Sequence, residues 1–161
     1  MTNTQSNQQD DDTIDTDLME DFFFDFKDAH QNCESILINL EHDPTNKELL
    51  NGLFRSVHTI KGNLVYVGLK DLTPLIQSME DLLDAIRSEQ ILYDSLLSDV
   101  ILLAMDKTKQ MVQAKLAKTT SPIISDKQLL LLCQNISSIV EVEGNTRTEY
   151  IRNAIISLDP S

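Results

Sequence analysis

Leu53-Phe54-Arg55-Ser56-Val57-His58-Thr59-Ile60-Lys61-Gly62-Asn63 is the stretch on which the reading of this chain turns. Wound at about 100° per residue, Leu50, Leu53, Val57, Ile60 and Leu64 gather on one face of a helix. His58 falls on the shoulder of that stripe, one side toward the core and one toward water. Lys61 and Gly62, three and four residues on, are its neighbours on the helix surface. Each residue type has a physical use. An imidazole nitrogen is a nucleophile near neutral pH. Phosphoryl transfer requires such a nitrogen to reach an in-line position. Lys61 puts an ammonium where it offsets the charge of an incoming phosphoryl group. Gly62 leaves room beside the imidazole for a partner to come close. A glycine inside a helix costs about 1 kcal/mol relative to alanine, and access to His58 is the compensating gain.

Working outward, this helix spans about residues 46–67, its stripe ending at Val67, with Gly68 as its C-cap. A further helix follows over about 70–88, with Leu72, Leu75, Met79, Leu82, Leu83 and Ile86 inward and Pro74 tolerated in its first turn. Glu80 is offset from the Met79 stripe as His58 is from its own. In an antiparallel pair the two shoulders face each other, and Glu80 accepts the imidazole N–H or pairs with Lys61. Upstream, Asp17 to Glu41 repeats Leu18, Phe22, Phe26, Cys33, Leu37 and Leu40 at helical spacing, with Asp17, Glu20 and Asp21 at the positive end of the dipole. Phe22-Phe23-Phe24 exceeds one face, so part of it packs sideways or covers a neighbour. His42-Asp43-Pro44-Thr45 breaks the pattern. Downstream, about 93–118 forms a fourth helix, its buried side marked by Leu96, Leu97, Val100, Leu103, Met111 and Leu116. The expected fold is all-α: an up-down four-helix bundle with a C-terminal helical extension. Residues 1–16 are too polar to bury surface and read as a disordered tail. The bundle takes 17–118, and 119–161 holds a linker (Thr119 to Pro122) and helices near 126–141 and 146–158. Leu129-Leu130-Leu131-Leu132 is too apolar to stay exposed and must dock on the bundle or on a partner.

Composition narrows the function classes. The 161 residues are 41% hydrophobic, with four glycines, four prolines and no tryptophan, which disfavours turn-rich β folds and phosphate-cradling glycine loops. A net charge of −13 repels phosphate backbones and anionic lipids, so neither nucleic acid nor a membrane surface is an expected partner. No apolar run is long enough to span a bilayer and no signal peptide is apparent. The expected location is the cytoplasm, with Cys33 and Cys133 as free thiols rather than a bridge. His30 and His42 read as a solvated helix face and a loop. Glu-x-x-His pairs of a di-iron bundle are not found, and Asp10-Asp11-Asp12 reads as solvated tail, so no metal is expected. These few His and carboxylate pairs also disfavour a metal-dependent hydrolase.

LFRSVHTIKGNLVYVG followed by LIQSMEDLLDAIR resembles the histidine-phosphotransfer (HPt) family, and within it the amino-terminal phosphotransfer domain of chemotaxis-type histidine kinases. The resemblance covers about Asp17 to Val112. It implies a helical bundle whose histidine, here His58, is the phosphoacceptor, with Lys61, Gly62 and Glu80 at the family's lysine, glycine and glutamate. It also implies two partners: a histidine kinase ATP-binding domain that delivers the phosphoryl group, and a response-regulator receiver aspartate that removes it. ATP and Mg²⁺ are then used by the partners, and the chain has no cofactor of its own. Two positions depart from the family. A second histidine usually stands three residues before the glutamate, where this chain has Gln77; glutamine can hydrogen-bond an imidazole but cannot titrate. Asn63 replaces a small residue after Lys-Gly. Nothing resembles an ATP-binding or receiver domain, so the chain reads as a monomeric relay protein or the front of a larger kinase. Val65 and Tyr66 are candidates for receiver contact. The competing reading, prompted by Gln77 and the apolar tail, is a helical interaction module that binds receivers or kinases without accepting phosphate.

Overall fold

The computed structural model describes residues 9–66, 68–117, 125–143 and 145–158. Six α-helices account for nearly all of them: α1 (Gln9–His42), α2 (Lys47–Tyr66), α3 (Thr73–Arg87), α4 (Ser95–Leu116), α5 (Asp126–Glu141) and α6 (Asn145–Leu158), with a short 3₁₀ turn at Lys70–Leu72 leading into α3. No strand occurs among the described residues. The helix ends follow local chemistry. Asn46 accepts the Leu49 N–H at 3.1 Å and starts α2. Asp94 does the same for α4 through the Leu97 N–H at 2.9 Å. Ser125 and Gln128 form a reciprocal capping box on α5. Gly68 ends α2 at φ 82°, and the Leu69 N–H reaches back to the Leu64 carbonyl at 2.8 Å, a closure that favours glycine.

The first four helices run up and down. Contacts at the helix boundaries fix the directions. Ile36 lies 3.6 Å from where a Gly52 Cβ would sit, while Asn32 bonds Ser56, so α1 and α2 are antiparallel. The Tyr93 hydroxyl donates to the Leu37 carbonyl, just before α4, and His30 pairs with Asp106, so α1 and α4 are antiparallel too. α2 packs on α3. The hairpin of α5 and α6 then spans from α3 to α4, which touch each other only lightly. The extension is therefore a structural part of the bundle, and Leu132, Ile136, Ile139, Ile151 and Ala154 join the same core as Leu53, Met79 and Ile101. Burying such side chains stabilises the fold by roughly 1.5–3 kcal/mol each.

Several expectations need correction. The backbone of residues 9–16 continues α1 rather than forming a disordered tail, while residues 1–8, the linker at 119–122 and Val67 lie outside the described residues. On α4 the core face is Leu97, Val100, Ile101, Ala104, Met105, Thr108 and Val112; Leu96, Leu103, Met111 and Leu116 are only half-buried. The stripe is shifted because α6 as well as α1 packs on α4. In the aromatic triplet Phe22 is buried, Phe23 half-buried and Phe24 exposed, so no neighbour covers the last ring. The leucine run divides likewise: Leu132 is buried and Leu129 half-buried, while Leu130 and Leu131 face outward. His30 is buried, and Asp106 on α4 accepts a 2.7 Å hydrogen bond from its Nε2, which satisfies the ring inside the α1–α4 seam. No described helix is long and apolar enough to cross a membrane.

Candidate functional site

His58 projects from the middle of α2, and its side chain is 62% exposed. The antiparallel pairing with α3 brings Glu80 beside it, with the carboxylate in the seam and the residue 4% exposed. His58 Nδ1 lies 2.6 Å from Glu80 Oε1, and Lys61 Nζ donates to Glu80 Oε2 at 2.5 Å. A buried carboxylate needs such partners, because an unpaired charge out of water is strongly destabilising. An ionised carboxylate only accepts, so the imidazole must donate from Nδ1. The neutral ring then keeps its lone pair on Nε2. Lys61 also donates to Gln77 Oε1 at 3.1 Å, and Gln77 Nε2 donates to Asp81 Oδ1 at 2.9 Å. Glu80 thus makes both contacts that the sequence offered as alternatives. Gln77 contacts the lysine rather than the imidazole. Gly62 is exposed, and a Cβ added there would meet no atom within 4 Å.

Four neighbours escaped the sequence reading. Phe54, one turn before His58, lies parallel to its ring, with centroids 6.1 Å apart and planes 10° apart. The Arg87 guanidinium covers Phe54 at 3.8 Å. Asp84 holds Arg87 Nε at 2.8 Å, and Asp81 receives the Gln77 amide. The i, i+4 spacing of Phe54 and His58 was available as a signal. Arg87 could not be linked to Phe54 without the register of α2 on α3.

Beside Gln77 an open groove of about 920 Å³ runs between α2, α3 and α5, lined by Val65, Pro74, Leu129, Leu130 and Cys133 among others. Val65 is exposed; the Tyr66 side chain lies outside the described residues. On the α1–α4 seam, His30, Glu34 and Asp106 each bring one ligand atom within 4.8 Å of the others, so they form a cluster able to hold a metal ion. Both cysteines are free thiols. Burial, with a smaller push from Glu34, raises Cys33 to about 12; burial also raises Cys133, against a Ser78 hydrogen bond that lowers it.

A helical bundle that offers one imidazole at its surface, held from behind by a carboxylate and flanked by an ammonium, defines a histidine-presenting module. Residues 17–115 match the family described as the Hpt domain, and the chain belongs to that family, whose work is histidine phosphotransfer in two-component signalling. Among curated relatives it is 35% identical over 96 residues to the sensor histidine kinase CheAY of Helicobacter pylori, covering 60% of this chain and 12% of that protein. It is 34% identical over 99 residues to the chemotaxis protein CheA of Treponema pallidum, covering 62% and 12%. With CheA of Bacillus subtilis it shares 36% over 95 residues, covering 58% and 14%. The matched stretch is thus a small fraction of each of these relatives.

Proposed function

We propose that the domain is a phosphoryl carrier in which His58 takes a phosphoryl group from the ATP-binding domain of a histidine kinase and yields it to a receiver aspartate. The observation that carries this reading is the Nδ1 hydrogen bond to Glu80, which leaves Nε2 as the nucleophile. In the first step the Nε2 lone pair attacks the γ-phosphorus, the bond to the β–γ bridging oxygen breaks, and its electron pair leaves with ADP. Glu80 stabilises the positive charge that the ring gains, and Lys61 offsets the charge on the phosphoryl oxygens. In the second step a receiver carboxylate oxygen attacks phosphorus and the N–P bond electrons return to Nε2. ATP and Mg²⁺ are supplied by the partners. Those partners are intracellular, so the proposed site of action is the cytoplasm, and the proposed working form is a monomer.

The test is labelling with γ-labelled ATP and the ATP-binding domain of a chemotaxis-type kinase. The expected product is an acid-labile, base-stable label that His58→Gln abolishes. An undiminished label in that variant refutes the assignment. The apolar groove beside Gln77 supports a second reading, a module that binds kinases or receivers without accepting phosphate. That reading requires binding that survives His58→Ala and no label on the unaltered chain.

A further inference from the structure

We propose that Phe54 and Arg87 form a platform that sets the plane of the His58 imidazole, making both of them positioning residues. The inference rests on the phosphocarrier reading for its purpose. Its geometry stands without that reading.

One hydrogen bond does not fix a ring. The Glu80 contact holds Nδ1 but leaves the imidazole free to rock about that atom. The Nε2 lone pair lies in the ring plane, so rocking swings it away from any fixed line of attack. In-line transfer requires the reacting atoms about 3–3.5 Å apart with their orbitals aligned. A second constraint on the plane is therefore worth having, and Phe54 supplies it. Its ring lies offset and parallel to His58, within 10°, at a separation inside the favourable range for stacked rings.

Phe54 in turn has a second neighbour. In the antiparallel pair Glu80 sits opposite His58, so Arg87, two turns further along α3, starts from the Phe54 end of the site. Its guanidinium lies 3.8 Å from the Phe54 ring centroid, close enough for a cation–π contact. Asp84, one turn back on the same helix, holds the Arg87 Nε at 2.8 Å. A planar, forked cation suits this place, since it stacks on a ring while pairing with a carboxylate. The Asp84–Arg87 spacing on α3 and the Phe54–His58 spacing on α2 thus belong to one assembly that ends at the imidazole. Phe54 packs on the core yet stays half-buried, and Arg87 is partly exposed, so both keep part of their surface outside the core.

The experiment compares Phe54→Leu, Arg87→Gln and Phe54→Tyr with the unaltered chain. Ring protons and nitrogens of His58 are followed by NMR, and His58 phosphorylation is timed with phosphoramidate, a small donor that needs no docking. Circular dichroism checks that each variant is folded. Phe54→Leu and Arg87→Gln should shift and broaden the His58 ring signals and slow labelling by about tenfold through lost alignment. Phe54→Tyr keeps the aromatic face and should restore both. Unchanged ring signals in folded Phe54→Leu and Arg87→Gln would overturn the platform. If the unaltered chain takes no phosphate at all, the carrier reading falls, and the ring signals alone decide the platform.

Discussion

Replacing Gly62 by alanine separates the needs of the fold from those of a partner. Gly62 sits inside α2, one turn beyond His58, and faces solvent. A Cβ built there meets no heavy atom within 4 Å, so the substitution has no steric penalty within the chain. What remains is helix propensity, which favours alanine over glycine by about 0.8–1 kcal/mol. For a chain of this size a gain of 1 kcal/mol raises the melting temperature by roughly 2–4 °C. Phosphoramidate labelling should be unchanged, because a small donor needs no close approach of a second backbone. Kinase-driven labelling should fall. An extra methyl forced into a packed contact costs typically 1–3 kcal/mol, which is about 5- to 150-fold in rate.

The assays are thermal unfolding by circular dichroism and parallel labelling with the two donors. A lower melting temperature refutes the open space assigned to Gly62. A higher melting temperature with undiminished kinase-driven labelling refutes the idea that glycine is kept there for access.

Glu80→Gln replaces a charged acceptor by a neutral one and weakens the His58 hydrogen bond by about 1 kcal/mol; labelling by phosphoramidate should slow about fivefold, and an unchanged rate would exclude a role for the carboxylate. Val65→Asp puts a charge on the exposed edge of the groove beside Gln77 and should slow transfer to a receiver while sparing phosphoramidate labelling; equal transfer rates would remove the groove from the docking surface. Cys33 links stability to alkaline pH. Its folded value of about 12 exceeds the ordinary 9.0, so the folded chain holds the proton that the unfolded chain releases, and stability is full below pH 9 and declines as pH rises toward 12. The gap amounts to about 4 kcal/mol, and urea unfolding between pH 8 and 11 should show a slope that Cys33→Ala removes.

Local rules made the helices legible. The stripes of Leu50–Leu64 and Leu72–Ile86 carry a 3.6-residue period strong enough to fix both elements and the shoulders on which His58 and Glu80 sit. Burial that depends on a second neighbour was not legible. One periodic stripe describes packing on one side, whereas α4 is covered by both α1 and α6 and α3 by both α2 and α5. His30 illustrates the same limit: its neighbours on α1 gave no reason to bury it, and Asp106 comes from a helix 76 residues away. The Phe54–Arg87 contact likewise depends on how α2 registers against α3, which neither helix encodes alone.

Gln77 carries the last step, because its place in the site differs from the place that family likeness suggests. Its side-chain hydrogen bonds run to Lys61 and Asp81. A lysine can only donate and a carboxylate can only accept, so the amide has one orientation that serves both: oxygen toward Lys61 and nitrogen toward Asp81. A histidine there could relay the same bonds only while neutral, since a protonated ring has no lone pair to offer the lysine. Glutamine has no such state. The direction of the chain from Lys61 through Gln77 to Asp81 therefore does not turn on the protonation of residue 77, and two acceptors from neighbouring turns of α3 hold Lys61. With glutamine at 77 this bracket holds no titrating group at that position, and it fixes Lys61, the ammonium that shares the Glu80 carboxylate with His58.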